Sequence, residues 1–193
     1  MSFEDTTEVP SGVEHTTEAP PVSQHTIEVP SVFDCLSVHK DVLSLKSRFF
    51  RRYFQKYPGS TETTMPGDLN VCTTLICYMY ETGLFTFPAY GSLFLVDLFA
   101  AAEKYGVLGL DVAVAGCLKV ELEFYWDDWS PEKIMDVVEK VYSETERFSR
   151  LREQLVIGLK SRQRFKDMLR TEFVRRRLLE LPEFLLDLAG LGL

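Results

Sequence analysis

The sequence predicts an α+β protein that is mostly helical, in which a small β-sheet precedes a cluster of α-helices. Three observations predict this class. Apolar residues recur at helical spacing in several stretches between residues 42 and 188. Alternation typical of strands is confined to a short region, residues 26–38. The length of 193 residues and a hydrophobic content of 46% suit one domain with a tail and an extension.

Composition and charge narrow the function classes. The formal net charge of −8 argues against general affinity for nucleic acids or anionic membranes. No stretch approaches the ~20 apolar residues of a membrane span. The acidic, Thr/Pro-rich start is unlike a signal peptide, and the four cysteines form no CxxC pair. We therefore expect a reduced, intracellular protein of the cytoplasm, the nucleus or both, without membrane association.

The N-terminal region is a decapeptide repeat. Pentapeptides ending in proline recur with a period of ten, at residues 6–10, 16–20 and 26–30. Six acids and no Lys or Arg occur in residues 1–32, which gives a charge of about −6. Because so polar a segment buries too little apolar surface to offset its ordering entropy, residues 1–25 are predicted to be disordered. The third copy alternates like a strand and predicts the first strand of the fold.

The next region predicts a strand, a helix and two turns. Residues 33–38 alternate loosely, as a short strand does. Leu45, Phe49, Tyr53 and Tyr57 recur every four residues and predict the apolar face of one helix, with basic residues on its other surface. Turns follow at residues 58–60 and 66–68, with a Thr-rich strand at 61–65 between them. The side chain of Asp68 is placed to cap the next helix.

Residues 69–118 predict three further helices. The first carries apolar residues from Leu69 to Tyr80, including Cys72, and ends at Gly83, before an aromatic loop. In the second, the apolar face is formed by Leu95, Leu98, Phe99 and Ala102. Gly106 is a natural C-terminal stop for that helix. Gly109 opens the third helix, for which the spacing predicts a stripe of Val112, Ala113, Gly116 and Cys117.

Residues 119–193 predict a helical extension. Ser130 and Pro131 are typical of a helix start, and Ile134, Val137, Val138, Val141 and Tyr142 follow at helical spacing. From Arg147 to Arg177, eleven basic residues face three acids, which gives a charge of +8. This segment predicts one or two amphipathic helices with a break near Gly158. Its charge favours a solvated face, neutralised by the acidic tail or by Asp127 and Asp128.

Three separate motifs carry a resemblance to a known family. Residues 38–50 read VHKDVLSLKSRFF, residues 76–83 read ICYMYETG, and residues 100–110 read AAAEKYGVLGL. In this order they resemble the hallmarks of BTB/POZ domains, in particular fungal BTB proteins with a helical C-terminal extension. The resemblance covers residues 26–118. It implies three parts: a disordered repeat (1–25), a BTB/POZ domain (26–118) and a helical extension (119–193).

The resemblance also assigns structural roles to individual residues. The family-motif residues are Val38, His39, Lys40, Leu43, Ser47, Phe50, Tyr78, Tyr80, Lys104, Tyr105, Gly106, Gly109 and Leu110. In the family, the histidine is structural, and no Ser, Cys or Asp constellation accompanies His39 here. Without a phosphate-binding loop or a nucleophile with a placed base, we expect no enzyme activity and no cofactor. A zinc site would need Cys35, Cys72 and Cys77 to converge from distant segments, so we expect no metal.

The function implied by the resemblance is protein–protein interaction, by self-association and by holding partners. Some family members bridge a substrate to a cullin-type ubiquitin ligase through a hydrophobic-x-Glu element after the first long helix. Here the nearest match is Phe54-Gln55-Lys56, with Lys56 in place of the acid, and Tyr53, Phe54 and Tyr57 are the candidate partner contacts. A homodimer stays open, because the usual S-D-V first strand is absent.

Two alternatives to a ligase adaptor remain open. One is phosphate binding by the basic segment 147–177, which salt-dependent retention on DNA, lost when Arg175, Arg176 and Arg177 become Ala, would reveal. The acidity of the chain makes a nucleic-acid partner the lesser candidate. The other is a diverged BTB fold that no longer binds a cullin. We expect no small-molecule substrate in any of these cases.

Overall fold

Two short strands precede ten α-helices in the computed structural model, which describes residues 26–30, 35–80, 91–143 and 148–190. The described chain is mostly helical, as the sequence predicted. The predicted disorder of residues 1–25, the helix end at Gly83 and the loop after it lie outside the described residues. The elements are β1 (Thr26–Pro30), β2 (Cys35–His39), α1 (Lys40–Lys46), α2 (Arg48–Lys56), α3 (Leu69–Tyr80), α4 (Ser92–Tyr105), α5 (Leu110–Val120), α6 (Pro131–Ser143), α7 (Ser149–Lys160), α8 (Gln163–Met168), α9 (Glu172–Leu178) and α10 (Pro182–Ala189).

The strands form an antiparallel pair, β1–β2, in a register that runs from Thr26↔His39 to Pro30↔Cys35. Both strands were predicted, and the second lies one or two residues further along than expected. The strand predicted at residues 61–65 is wrong, because no strand of that length forms there. Thr63 and Met65 are instead buried, and they extend the core between α2 and α3.

The single helix predicted after β2 is broken at Ser47. Its backbone is extended there (φ −131°, ψ 129°), so α1 ends at Lys46 and α2 begins at Arg48. Because one extended residue interrupts the regular rotation of about 100° per residue, a single four-residue stripe cannot describe both helices.

The predicted apolar face of this region is also wrong. Leu45 is 65% exposed and Phe49 and Tyr57 are also exposed, whereas the fully buried side chains of α1 and α2 include Leu43 and Phe50. The basic residues do occupy the outer surface of α2, as predicted. The exposed aromatic residues therefore share that surface with cations.

Helix α4 agrees with the predicted spacing, and α3 agrees in part, because Leu69 and Tyr80 at the two ends of its predicted apolar face are exposed. Asp68 caps α3 through a bond donated by the backbone N–H of Val71 (3.1 Å), and Cys72 lies in the core. On α4, the four predicted core residues, from Leu95 to Ala102, are all buried. Gly106 ends α4 in the left-handed conformation (φ 57°) that glycine adopts most readily.

The predicted stripe of α5 is wrong. Its buried residues are Leu110, Val114, Ala115 and Leu118, while Val112 is 55% exposed. Small residues on several faces of α5 had left more than one stripe compatible with helical spacing. The face carrying Leu110, Val114 and Leu118 removes more apolar area from water, so that face packs on the core.

The extension packs directly on the preceding helices. Ser130 caps α6 by accepting a bond from the backbone N–H of Lys133 (3.2 Å), and all five predicted apolar residues of α6 are buried. Helix α6 contacts α4, and α7 contacts α5. The described residues of the extension, 119–143 and 148–190, therefore share one hydrophobic core with the helices before them.

The basic segment forms three helices, α7, α8 and α9, where one or two were predicted. The first break follows Lys160, two residues after Gly158 and so near the predicted position, but Gly158 itself is helical. Gly158 lies inside α7 against the π-helical turn Glu121–Tyr125, and a Cβ there would lie 2.9 Å from Leu122 Cδ1. This glycine permits close packing and does not end the helix.

Candidate functional site

Ser47 joins the break between α1 and α2 to the corner between α4 and α5. Its fully buried hydroxyl donates to the carbonyl of Tyr105 (2.6 Å) and accepts from the backbone N–H of Phe50 (3.3 Å). Two backbone bonds run beside it, from Arg48 N to Gly106 O and from Leu108 N to Lys46 O, both 3.0 Å. The start of α2 is therefore held against this corner by both side chain and backbone.

Aromatic packing continues the same junction into the core. The rings of Phe50 and Tyr105 lie nearly parallel, with centroids 6.2 Å apart. The Tyr105 hydroxyl and the Lys104 ammonium group both donate to the carbonyl of Pro66, each at 3.1 Å. At Gly106, a Cβ would lie 3.0 Å from Arg48 Cβ, so the close approach of α2 to this corner excludes larger residues.

The motif at residues 76–83 contacts the motifs at residues 38–50 and 100–110 through its two tyrosines. The backbone N–H of His39 donates to the hydroxyl of Tyr80, and His39 Nδ1 lies 3.2 Å from the same oxygen. The hydroxyl of Tyr78 lies beside Gly109, 3.3 Å from where a Cβ would stand. Val38, Leu43 and Leu110 are buried, and Lys40 donates to Pro58 O (2.6 Å). The structure thus joins each of the three sequence motifs to both of the others.

Substitution of Ser47 by alanine is expected to lower the free energy of unfolding by about 2 kcal/mol. The variant loses the cap of α2 and leaves the Tyr105 carbonyl without its hydroxyl donor. Urea denaturation measures this change. Ser44→Ala is the matched control, because the Ser44 side chain lies on α1 outside this network, and its effect should stay within about 0.5 kcal/mol. Equal effects of the two substitutions would contradict the role of Ser47.

Burial, followed by the neighbouring Cys72, raises the pKa of Tyr105 to about 12. Because the unfolded tyrosine titrates near pH ~10, this stabilisation is complete below pH ~10 and is lost as the pH rises toward 12. The wild-type chain should therefore lose on the order of 2 kcal/mol more stability than Tyr105→Phe between about pH 8.5 and 11.5. Urea denaturation of both chains at each pH measures this difference, and parallel pH profiles would contradict it.

A groove of about 410 Å³ lies on the outer surface of α2, beside the end of α4. We call it the α2 groove. It contains an aromatic row, Phe49, Tyr53 and Tyr57, and a cationic row, Arg48, Arg52 and Lys56. Within the aromatic row, the ring centroids of Phe49 and Tyr53 are 6.4 Å apart, and those of Tyr53 and Tyr57 are 5.2 Å apart. Both rows repeat every four residues, so they run side by side along the helix.

The predicted partner contacts divide between the groove and the core. Tyr53 and Tyr57 line the groove, and Tyr57 is 46% exposed. Phe54 is only 5% exposed and its ring stacks on Phe50, so its prediction as a surface contact is wrong. Phe49 was expected in the core but contributes an exposed ring to the groove. The fourfold spacing that suggested a buried stripe could have indicated this aromatic surface.

The α2 groove carries net positive charge. Within the described ranges, no carboxylate forms an ion pair with Arg48, Arg52 or Lys56. Lys104 also lines the groove and adds a fourth cation, while Glu103 contributes one negative charge. A ligand that brings carboxylates and an apolar or ring-shaped side chain would complement both rows.

The basic segment that stood out in the sequence is partly neutralised within the fold, because five of its ten described cations form ion pairs. Of the two acids predicted to neutralise it, Asp127 lies 4.0 Å from Arg164, whereas Asp128 forms no ion pair among the described residues. Arg162 donates to the Glu123 carbonyl (2.8 Å). Hydrogen bonds to Glu139, opposed by desolvation, raise the pKa of Arg177 above its usual range. Arg147 lies outside the described residues. The ion pairs are Arg150–Asp111, Arg152–Glu183, Arg164–Asp127, Arg170–Asp167 and Arg177 with Asp136 and Glu139.

The thiol and imidazole groups singled out in the sequence have structural surroundings. Cys72 is buried near the Met65 carbonyl, and burial raises the pKa of its thiol. His39 contacts Tyr80, as described above. Within residues 26–30, 35–80, 91–143 and 148–190, no three His, Cys, Asp or Glu side chains come together as metal ligands would. In the same ranges, no helix is both long and apolar enough to span a bilayer.

Comparison with known proteins leaves the chain without an assigned family: no family model matches it, and no curated protein matches it.

Proposed function

We propose that this chain is a protein-interaction module of the BTB/POZ type, which associates with partner proteins and with itself. One observation carries the proposal. Three motifs that resemble the family, far apart in the sequence, meet around Ser47, His39 and Gly109 through specific contacts.

The α2 groove supplies the contact surface in this proposal. Aromatic and arginine side chains are the types that contribute most to binding at protein interfaces. Tyr53 is held in place by its hydroxyl, which donates to the Glu62 carbonyl (3.1 Å), so a partner loses less entropy in ordering it. The backbone bonds that fix the start of α2 hold both rows in register.

The cullin-type partner remains part of the proposal in modified form. In the segment Phe54-Gln55-Lys56, the hydrophobic residue packs inward, and Lys56 stands at the groove where the family places an acid. A cullin that binds here must accept a cation at this position. The proposal therefore includes a scaffold whose contacting surface is acidic, or an acidic partner of another kind.

Calorimetric titration of the full chain with the N-terminal domain of a cullin-type scaffold tests the adaptor role. Phe54→Ala is unsuitable as a probe because it opens the core, so Tyr57→Ala is used instead. Tyr125→Ala is the matched control, since Tyr125 is similarly exposed (54%) but lies outside the groove. Micromolar affinity weakened roughly tenfold by Tyr57→Ala alone supports the adaptor role. The absence of binding at millimolar concentration excludes it.

Self-association is tested separately by analytical ultracentrifugation of the full chain. A concentration-dependent monomer–dimer equilibrium supports the proposal. A strict monomer at high concentration, together with no cullin binding, would overturn the proposed function as a whole.

A further inference from the structure

We propose that the α2 groove binds the chain's own N-terminal Thr/Glu/Pro repeat, within the same molecule. The inference rests on the proposed function only in treating the groove as a surface that binds polypeptide. It names the occupant: one of the first two pentapeptide copies, residues 6–10 or 16–20. The third copy is already used, because its residues 26–30 form β1.

Charge complementarity is the first argument. Residues 1–32 contain six acids and no Lys or Arg. The groove presents Arg48, Arg52 and Lys56 without ion pairs to described carboxylates, whereas most arginines of the basic segment already have partners. An acidic segment without basic residues and a row of cations without described ion pairs thus belong to one chain. Because salt screens charges, the attraction between the acidic segment and these cations is strongest at low ionic strength.

The spacing of the two rows is the second argument. Along α2, successive members of a row are four residues apart, which is about 6 Å. A proline-rich peptide in the polyproline II conformation advances ~3.1 Å per residue, so residues two apart are also separated by about 6 Å. Each copy carries a glutamate two residues before its proline, as in Glu8 and Pro10 or Glu18 and Pro20.

Since each copy contains one glutamate and one proline about 6 Å apart, each copy can contact both rows of the groove. The glutamate would meet a cation of the row Arg48, Arg52 and Lys56, while the proline would pack on a neighbouring aromatic ring. Proline-containing segments bind aromatic grooves well because their extended conformation costs little entropy to fix. The repeat thus offers the carboxylates and the ring-shaped side chains that this surface complements.

The length of the chain is the third argument. From Pro20 to the first residue of β1, six residues span roughly 20 Å when extended, and from Pro10 sixteen residues span roughly 50 Å. A domain of this size has a radius of gyration of about 16 Å, so the tether of the first copy is longer than the domain diameter of about 40 Å. Tethering also gives an effective concentration in the millimolar range, at which weak contacts suffice for occupancy.

Site-specific photo-crosslinking of the full chain tests the proposal directly. A benzophenone amino acid replaces Tyr57 in the groove, and the same replacement at Tyr125 serves as the control. Tyr125 is an exposed tyrosine of similar accessibility that follows the acidic residues Glu121 and Glu123. After irradiation at low salt, we expect the Tyr57 probe to crosslink residues 1–25 within the monomer, as identified by mass spectrometry. The Tyr125 probe should not reach that segment.

Paired charge reversals then test the role of the cations. In the Tyr57 probe chain, Arg52→Glu with Lys56→Glu should lower the yield of this crosslink roughly tenfold. Arg175→Glu with Arg176→Glu makes the same change of net charge on α9, and both of these arginines are exposed. The α9 pair should leave the crosslink yield unchanged. In the Tyr57 probe chain without charge reversals, raising the salt concentration should lower the crosslink yield.

Three results would overturn the inference. They are the absence of any adduct with residues 1–25, equal adducts from the Tyr57 and Tyr125 probes, and an adduct found only between two chains, which would place a second copy's repeat in the groove. The proposed function can fail independently, because the crosslinking experiment contains no cullin. If both proposals hold, Glu8→Gln with Glu18→Gln should tighten binding of a groove partner, since the competing segment is weakened.

Discussion

Replacement of Phe50 by alanine should lower the free energy of unfolding by about 4 kcal/mol, while the same change at Phe49 should cost about 1 kcal/mol. Phe50 is fully buried, and its ring stacks on Phe54 and Tyr105 with centroids 6.1 and 6.2 Å away. Removing it leaves a cavity at the junction of α2 with α4. Phe49 is 37% exposed at the edge of the α2 groove, so water fills the space that its ring leaves.

These two residues are adjacent and chemically identical, so they control for each other. Urea denaturation of both variants gives the difference directly, and far-UV circular dichroism shows whether each retains its helices. If Phe50→Ala leaves too little folded protein to measure, Phe50→Leu should still cost more than Phe49→Leu. A larger loss of unfolding free energy at Phe49 than at Phe50 would support the buried face predicted from the four-residue spacing. It would contradict the packing of α2.

Asp187→Ala is expected to cost about 3 kcal/mol, because Asp187 is the centre of a buried polar cluster between α6, α7 and α10. Its carboxylate accepts from the hydroxyl of Tyr142 (2.6 Å), and both residues are buried. The guanidinium of Arg152 lies 4.4 Å from the centroid of the Tyr142 ring. Burial, followed by the bond to Asp187, raises the pKa of Tyr142 well above its usual range. Without this carboxylate, the buried hydroxyl of Tyr142 has no acceptor.

The matched control is Asp97→Ala, which also removes a carboxylate with a close partner. Asp97 pairs with Lys140 at 2.6 Å, but the two side chains are 46% and 36% exposed. Water replaces the lost partner at this surface site, so the loss of stability should be below about 1 kcal/mol. Thermal and urea denaturation of both variants measure the contrast. Similar losses at the two sites would show that burial does not determine the effect of removing the carboxylate.

The sequence predicted most elements that depend on local spacing or capping. Asp68 and Ser130 were predicted as N-caps and form their bonds, and Gly106 ends α4 as expected. The apolar faces of α4 and α6 were also predicted residue by residue. These features depend on side chains within one or two turns of each other, so the pattern of the sequence contains enough information to predict them.

Features that depend on contacts between distant segments were not predicted. The break at Ser47 requires the carbonyl of Tyr105, and nothing in residues 42–57 indicates where that carbonyl will be. Because the break was missed, Phe49 was placed on one buried face with Leu45, and the α2 groove was not foreseen, although Tyr53 and Tyr57 were predicted as partner contacts. The wrong stripe on α5 has a different origin, since its small residues are compatible with several faces.

The charge pattern showed a similar limit. The basic segment stood out because its eleven cations are close together in sequence, whereas their partners, such as Asp111 and Asp136, come from other helices. Helix α2 has only four cations and was not singled out by its charge, yet none of the four has an ion-pair partner among the described residues. Net charge along the sequence therefore did not indicate which cations lack ion pairs in the fold.

The anchoring of Ser47 has a consequence for the order of folding. Residues 40–56 contain good helix formers and no glycine or proline, so as a separate peptide their local preference is one continuous helix. The contact that breaks it joins residues 58 positions apart, and this loop must close before the contact forms. The two-helix form of this segment is thus acquired late, when the α4–α5 corner docks. Until then, Phe49 and Phe50 differ little in their surroundings, and only docking makes one of them core and the other surface.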